Sequence, residues 1–125
     1  MKDEVVKSTP LYMNEPKMAL DFLVEKLGFA VVDDATLANR DEVTVYDGYG
    51  NSYEVFLTGR NKPNTKTEVN VIINTTDCLQ DFYKIGPTGV SIISKPHYAP
   101  EGLAFEILDY WNNKYTFLEK RDYND

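Results

Sequence analysis

The sequence predicts an α+β fold built from two successive modules, each running strand, helix, strand, strand, strand. Two observations predict it. First, the same succession of hydrophobic periods, alternating for strands and three-to-four spaced for helices, stands on both sides of a polar segment at 59–67. Second, short signatures return in the same order. Asp21-Phe22 recurs as Asp81-Phe82, the helix-ending Gly28 as Gly89, and Asp47-x-x-x-Asn51-x-Tyr53 as Asp109-x-x-x-Asn113-x-Tyr115. The offsets are 60, 61 and 62 residues. Turns reuse Asp and Asn anyway, so each match alone is weak; three in order favour a duplication.

Residues 5–13 read as a first strand, with Pro10 pointing to an edge or a bulge. Asn14-Glu15-Pro16 reads as a helix start, with Asn14 or Glu15 as the cap and Pro16 in the first turn. Met18, Ala19, Phe22, Leu23 and Leu27 keep helical spacing until Gly28. A strand follows at 29–35, then a hairpin of 42–47 and 52–58 around Gly48-Tyr49-Gly50-Asn51. Beyond the polar segment, 68–74 is a strand, and Thr75-Thr76-Asp77 open a helix that Gly86-Pro87-Thr88-Gly89 end. Val90–Ser94 is a strand, Lys95–Pro100 a loop, and 103–109 and 114–119 the last two strands. The charged tail is expected to fray.

At 125 residues the chain predicts one domain over 1–125, with modules at about 5–60 and 66–120. Hydrophobic residues are 42% and charged residues 26%, an ordinary globular balance. Thirteen basic and twenty acidic residues give −7, which argues against nucleic acid and against an anionic membrane surface as partners. The same balance leaves room for a cationic ligand. Aromatic residues reach 13%, with 9 Tyr, 6 Phe and 1 Trp. The single Cys78 excludes an internal disulfide framework and reads as a small residue near a helix start. With no apolar run of signal-peptide or membrane-span length, the expected location is the cytosol.

The repeated module, the Phe22…Leu27-Gly28-Phe29 helix ending and the Asp109-Tyr110-Trp111-Asn112-Asn113 turn before the last strand resemble the vicinal oxygen chelate superfamily. That superfamily contains glyoxalase I, the bleomycin resistance proteins and extradiol dioxygenases. The resemblance runs from about Val6 to Glu119. It implies two βαβββ modules whose sheets curl into a cup with helices on the convex face, usually in a homodimer. The family's enzymes hold a divalent metal with His and Glu side chains from the first and last strand of each module. Carried over by spacing, those positions are Ser8, Glu54, Asn70 and Thr116. Only Glu54 is a good ligand, so the expectation is no metal and no cofactor.

Strand alternation sorts the remaining side chains. Val43, Val45, Tyr53, Val55, Leu57, Val69, Val71, Ile73, Phe105, Ile107, Tyr115 and Phe117 are assigned to the helix-covered face. Thr44, Tyr46, Glu54, Phe56, Asn70, Ile72, Asn74, Ala104, Glu106, Leu108, Thr116 and Leu118 are assigned to the cup. The ligand-binding candidates are Tyr46, Glu54, Phe56, Asn70, Asn74, Glu106, Trp111 and Thr116. Glu54 and Glu106 are either paired acids for binding or acid–base work, or solvated and ion-paired carboxylates. Trp111 either stacks at the rim or covers a sheet end. The only histidine, His97, falls on the loop, as a surface residue or as an acid or base reaching over the rim.

The reading that combines these features is a small-molecule binding protein of the bleomycin-resistance type. It would sequester an aromatic or cationic ligand without a catalytic metal, as an antibiotic resistance protein does. The alternative is a metal-dependent lyase, isomerase or dioxygenase using Glu54, Glu106 and His97.

Overall fold

Period-two burial, not propensity alone, fixes most of the strands observed. The computed structural model describes residues 8–13, 15–34, 42–57 and 69–121. Expected features at 5–7, Asn14, Ala35, Thr58, the polar 59–67 segment, Glu68 and the tail at 122–125 lie outside the described residues. The chain divides into two units, Met1–Thr67 and Glu68–Asp125.

The first unit contains β1 (Ser8–Tyr12), α1 (Pro16–Leu20), β2 (Ala30–Asp34), β3 (Glu42–Tyr46) and β4 (Ser52–Phe56). The second contains β5 (Asn70–Asn74), α2 (Cys78–Ile85), β6 (Ser91–Ala99), β7 (Gly102–Leu108) and β8 (Lys114–Lys120). Strand order is β1-β4-β3-β2 in one sheet and β5-β8-β7-β6 in the other. In each, the first strand runs parallel to the last and the other pairings are antiparallel. The expected eight-strand arrangement is therefore two open four-stranded mixed sheets, and the duplication is structural.

A duplicated irregularity strengthens that conclusion. The register slips between Val31 and Asp33 in β2 and between Ile92 and Ser94 in β6. Each leaves one apolar residue, Val32 or Ile93, bulged on an edge strand.

The helix expected from 15 to 27 is α-helical only over its first turn. From Asp21 to Lys26 it widens into a π-helix, and the Leu27 N–H bonds the Phe22 carbonyl at 3.0 Å. In that i→i+5 turn residues five apart come together, so Phe22 and Leu27 share one buried side. Gly28 follows at φ +79°, the left-handed stop that glycine supplies. Phe29 then stacks on Tyr53 of β4, ring centroids 5.6 Å apart.

α2 begins as expected. The Asp77 carboxylate accepts the Gln80 N–H at 3.0 Å, and the Thr75 hydroxyl accepts the Asp77 N–H and donates to Asp81. The Cys78 N–H is taken by Glu119 at 2.9 Å, which holds that carboxyl below its ordinary range. Burial, then the neighbouring Glu119 and Asp81 charges, push the Cys78 thiol up to about 11. The thiol thus stays protonated and inert, consistent with a packing role.

α2 packs on β6, β7 and β8. Its Phe82 meets Phe105 edge-on at 5.2 Å, and Phe105 stacks on its cross-strand partner Phe117 at 4.8 Å. Phe105 and Phe117 are fully buried, and each ring contributes roughly 1.5–3 kcal/mol by leaving water. The covered rows are those expected: Val43, Val45, Tyr53, Val55 and Leu57 in one unit, and Val71, Ile73, Phe105, Ile107, Tyr115 and Phe117 in the other, are all buried, while Val69, expected in the same row, is half-buried.

Two expectations need correction. The Lys95–Pro100 loop is not a loop, because β6 continues from Ser91 to Ala99. Pro96 fits inside it because β6 is an edge strand and the register slips between Ser94 and His97, so no ladder N–H is required of the proline. His97 is accordingly a strand residue. Second, Ala104 and Leu118, assigned to the open face, are buried together with Leu103, so this end of the sheet is covered on both sides.

Candidate functional site

Both units close their last hairpin with the same carboxylate device, and it aims the strands that carry the candidates. Asp47 Oδ1 accepts the N–H groups of Tyr49 and Asn51 at 2.7 and 3.2 Å, while Oδ2 accepts the Tyr53 hydroxyl at 2.7 Å. Asp109 Oδ1 accepts the N–H groups of Trp111 and Asn113 at 2.8 and 2.9 Å. Its Oδ2 accepts the Asn113 amide and the Tyr115 hydroxyl at 2.8 and 2.9 Å. Burial, then the bond to the Asp47 carboxylate, raise the Tyr53 hydroxyl pKa well above its ordinary value, so it remains a donor. Asn113 also reaches back to β5, accepting the Val69 N–H at 2.9 Å.

With Tyr53 and Tyr115 locked inward, their neighbours Glu54 and Thr116 take the opposite face. Register then builds one cross-strand row in each sheet. In the first unit it runs Pro10, Glu54, Thr44, Asp33; in the second, Ile72, Thr116, Glu106, Ser94. At the centre of each stands a Glu–Thr pair, with the two residue types exchanged between strands. Duplication has kept the pair and swapped its chemistry.

The two carboxylates differ. Glu106 is engaged: Thr116 and Ser94 hydroxyls donate to it at 3.3 Å each, and the Lys114 ammonium lies 3.5 Å away. Side-chain exposures of 36% for Lys114 and 25% for Glu106 make that ion pair a weakly stabilising, partly screened one. Glu54 is exposed and makes no hydrogen bond or ion pair with another described residue.

The other candidates divide by unit. Tyr46 ends β3 with its ring partly exposed, and Phe56 ends β4 half-buried. Asn70 and Asn74 flank Ile72 on the exposed side of β5. Trp111 lies half-buried in the Asp109 turn, edge-on to Tyr110 at 5.7 Å, and so belongs to a sheet end rather than to a strand row. His97 stands level with Ala104 on β7, two residues along from Glu106 on the same face, and its Nδ1 is 2.9 Å from the Lys95 carbonyl oxygen.

Sequence reasoning passed over two residues on these faces. Tyr12 pairs with Phe56 across the parallel β1–β4 ladder, and their rings stack at 5.4 Å with 19° between planes. Lys114 lies two residues before Thr116 and sits on the same face. Alternation from buried Leu11 and Tyr115 carries the signal for both.

The family's metal positions do not fit a divalent ion. Ser8 is level with Ser52 and Asn70 with Lys114, so neither stands beside the residue it would act with; Glu54 is flanked by Pro10 and Thr116 by Ile72. The Thr116 hydroxyl is committed to Glu106. One carboxylate, one amide and two hydroxyls make a poor donor set for such an ion. Among the described residues no three His, Cys, Asp or Glu side chains converge as a metal-holding group. Nor is any helix among them long and apolar enough to cross a membrane.

A scan against protein-family models finds no match. An uncharacterized protein of Shewanella frigidimarina is 25% identical over 132 residues, spanning 98% of this chain and 97% of its own. Among solved structures, TnmS3, an antibiotic binding protein from a Streptomyces species, matches with a TM-score of 0.79 at 20% identity over 97% of this chain and 99% of its own. TioX from a Micromonospora species matches at 0.76 and 20% identity, over 94% of this chain and all of its own. A Sphaerobacter thermophilus member of the glyoxalase/bleomycin resistance protein/dioxygenase superfamily matches at 0.71 and 26% identity, over 94% of this chain and 98% of its own. Near-complete coverage on both sides means that the whole order of elements is shared, not one module of it. The chain thus shares the fold of the glyoxalase/bleomycin resistance protein/dioxygenase superfamily.

Proposed function

We propose that the protein binds and sequesters a small aromatic or cationic molecule, without a catalytic metal, on the open faces of its sheets. One observation carries the reading. Each open face keeps a polar Glu–Thr pair where packing would favour apolar side chains, surrounded by rings in one unit and amides in the other. The binding residues are Tyr46, Glu54, Phe56, Asn70, Asn74, Glu106, Thr116 and Trp111. The carboxylates supply charge, the amides directional hydrogen bonds and the rings stacking area. The fold shared with an antibiotic binding protein supports the same reading.

The test is a calorimetric screen with bleomycin-like, aminated aromatic and anionic compounds side by side, together with elemental analysis of protein purified without chelator. The expected result is micromolar binding of an amine-bearing aromatic and no stoichiometric metal. Near-stoichiometric zinc, nickel, iron or manganese that disappears on Glu54→Ala would instead favour a lyase or dioxygenase. The position of His97 on the Glu106 face is the observation that keeps that second reading in view.

The reading includes a homodimer in the cytosol. Edge strands β2 and β6 expose Val31, Val32, Ile92 and Ile93. An apolar edge of that kind is a liability unless covered. Light scattering at tens of micromolar should give twice the 14.3 kDa chain mass; a value at the chain mass itself would remove the dimer.

A further inference from the structure

The duplicated sheets invite a position-by-position comparison of their open faces. Where the first unit has Tyr12, Phe56, Glu54 and Ser52, the second has Asn74, Leu118, Thr116 and Lys114. One module's open face has therefore become aromatic and acidic, the other's amide-bearing and apolar, with Lys114 beside Glu106.

Tyr12 and Phe56 make the difference concrete. Each is only half-buried, and each stands on the face opposite the core row of Leu11 and Val55. Their rings stack on one another rather than into the core, so they form a flat apolar step on an otherwise polar surface. Glu54 precedes Phe56 by two residues on the same strand, which places its carboxylate roughly 7 Å along the same face. Asp33 lies two strands over in the Glu54 row. Among the described strand residues on this face there is no Lys or Arg. A ring pair beside a carboxylate that has no ion pair among the described residues attracts a planar cation twice, through the π-face and through the charge. In the second unit the Glu106 charge is already matched by Lys114.

Resting on the ligand-binding reading above, we infer that the first unit alone receives the cationic end of the ligand. The Tyr12–Phe56 step stacks a planar ring, and Glu54 pairs with a protonated amine or guanidinium carried on that ring. Tyr12 is thereby a specificity-determining residue.

The test uses the full chain and two planar probes of matched ring size, an aminoacridinium cation and an acridine carboxylate, titrated by calorimetry. The cation should bind and the carboxylate should bind at least tenfold more weakly. Tyr12→Leu and Phe56→Leu keep apolar bulk and should each weaken the cation about three- to tenfold; Glu54→Gln should weaken it about tenfold. Glu106→Gln should have a smaller effect than Glu54→Gln. Tyr83→Leu, on the exposed side of α2, is the control and should change nothing. Unaltered thermal unfolding of each variant shows that the fold is kept.

If the cation binds but the three first-unit variants match wild type, while Glu106→Gln or Asn70→Ala releases it, the inference is overturned and the ligand-binding reading survives. A preference for the carboxylate probe overturns the inference as well. If neither these probes nor any compound of the wider screen binds, the ligand-binding reading itself fails and the inference goes with it.

Discussion

Replacing Asp109 by alanine should cost about 3–5 kcal/mol of folding stability, among the largest effects expected of a single substitution in this chain. The carboxylate is 7% exposed and accepts four hydrogen bonds within 2.9 Å. Alanine leaves the Tyr115 hydroxyl and the Asn113 amide, both fully buried, without their acceptor. An unsatisfied buried donor costs about 1–3 kcal/mol, and of the two turn N–H groups only that of Trp111, partly exposed, lies near enough to solvent to recover part of it. Asn113 also bonds the Val69 N–H, so the loss reaches the start of β5. Tyr115→Phe removes one of the four donors and should cost about 1 kcal/mol. Asp109→Asn should fall between, since its amide keeps one acceptor oxygen but turns an NH₂ toward two donors. Urea unfolding at neutral pH measures all three. An Asp109→Ala loss below that of Tyr115→Phe would mean that water replaces the carboxylate and that the turn is not held by it.

The same device shows how much of the fold was legible in the sequence, and why. Asp47-x-x-x-Asn51-x-Tyr53 and its copy were visible as spacing, because a carboxylate that organises a turn bonds only residues two, four and six positions on. Strand faces were legible for the same reason: alternation is local and burial follows it, from Val43 to Phe117. What stayed hidden depends on partners far along the chain. The π-helix at Asp21–Lys26 carries ordinary helical spacing until packing draws Phe22 and Leu27 together. Pro96 reads as a loop unless the strand is known to be an edge with a slipped register. The candidate site divides likewise. Glu54 and Thr116 were found from their own strands. The neutralisation of Glu106 by Lys114, and the stacking of Tyr12 on Phe56, required knowing that β7 neighbours β8 and that β1 runs parallel to β4.

Gly102 is the extreme of that second kind, and Gly102→Ala should destabilise the chain by about 3 kcal/mol or more. Nothing near it in sequence distinguishes it from the turn glycines. In the fold, a β-carbon there would lie 2.1 Å from the Glu119 carbonyl oxygen and 2.9 Å from both the Glu119 carbonyl carbon and the Arg121 nitrogen. All three are backbone atoms of β8 or of the residue that follows it, so no side chain can turn aside to make room. The β7–β8 ladder would have to part where Gly102 stands opposite Lys120. That displacement also pulls on Glu119, whose carboxylate holds the first N–H of α2, so the helix start loosens with the sheet. Gly48 separates this steric cost from the conformational one. It has φ +84° and open space around its missing β-carbon, so Gly48→Ala pays only left-handed strain, about 1–2 kcal/mol. Chemical denaturation of the two variants side by side decides the matter. Equal losses would show that the strand pair yields freely and that backbone conformation, not the approach of Glu119, is what reserves position 102 for glycine.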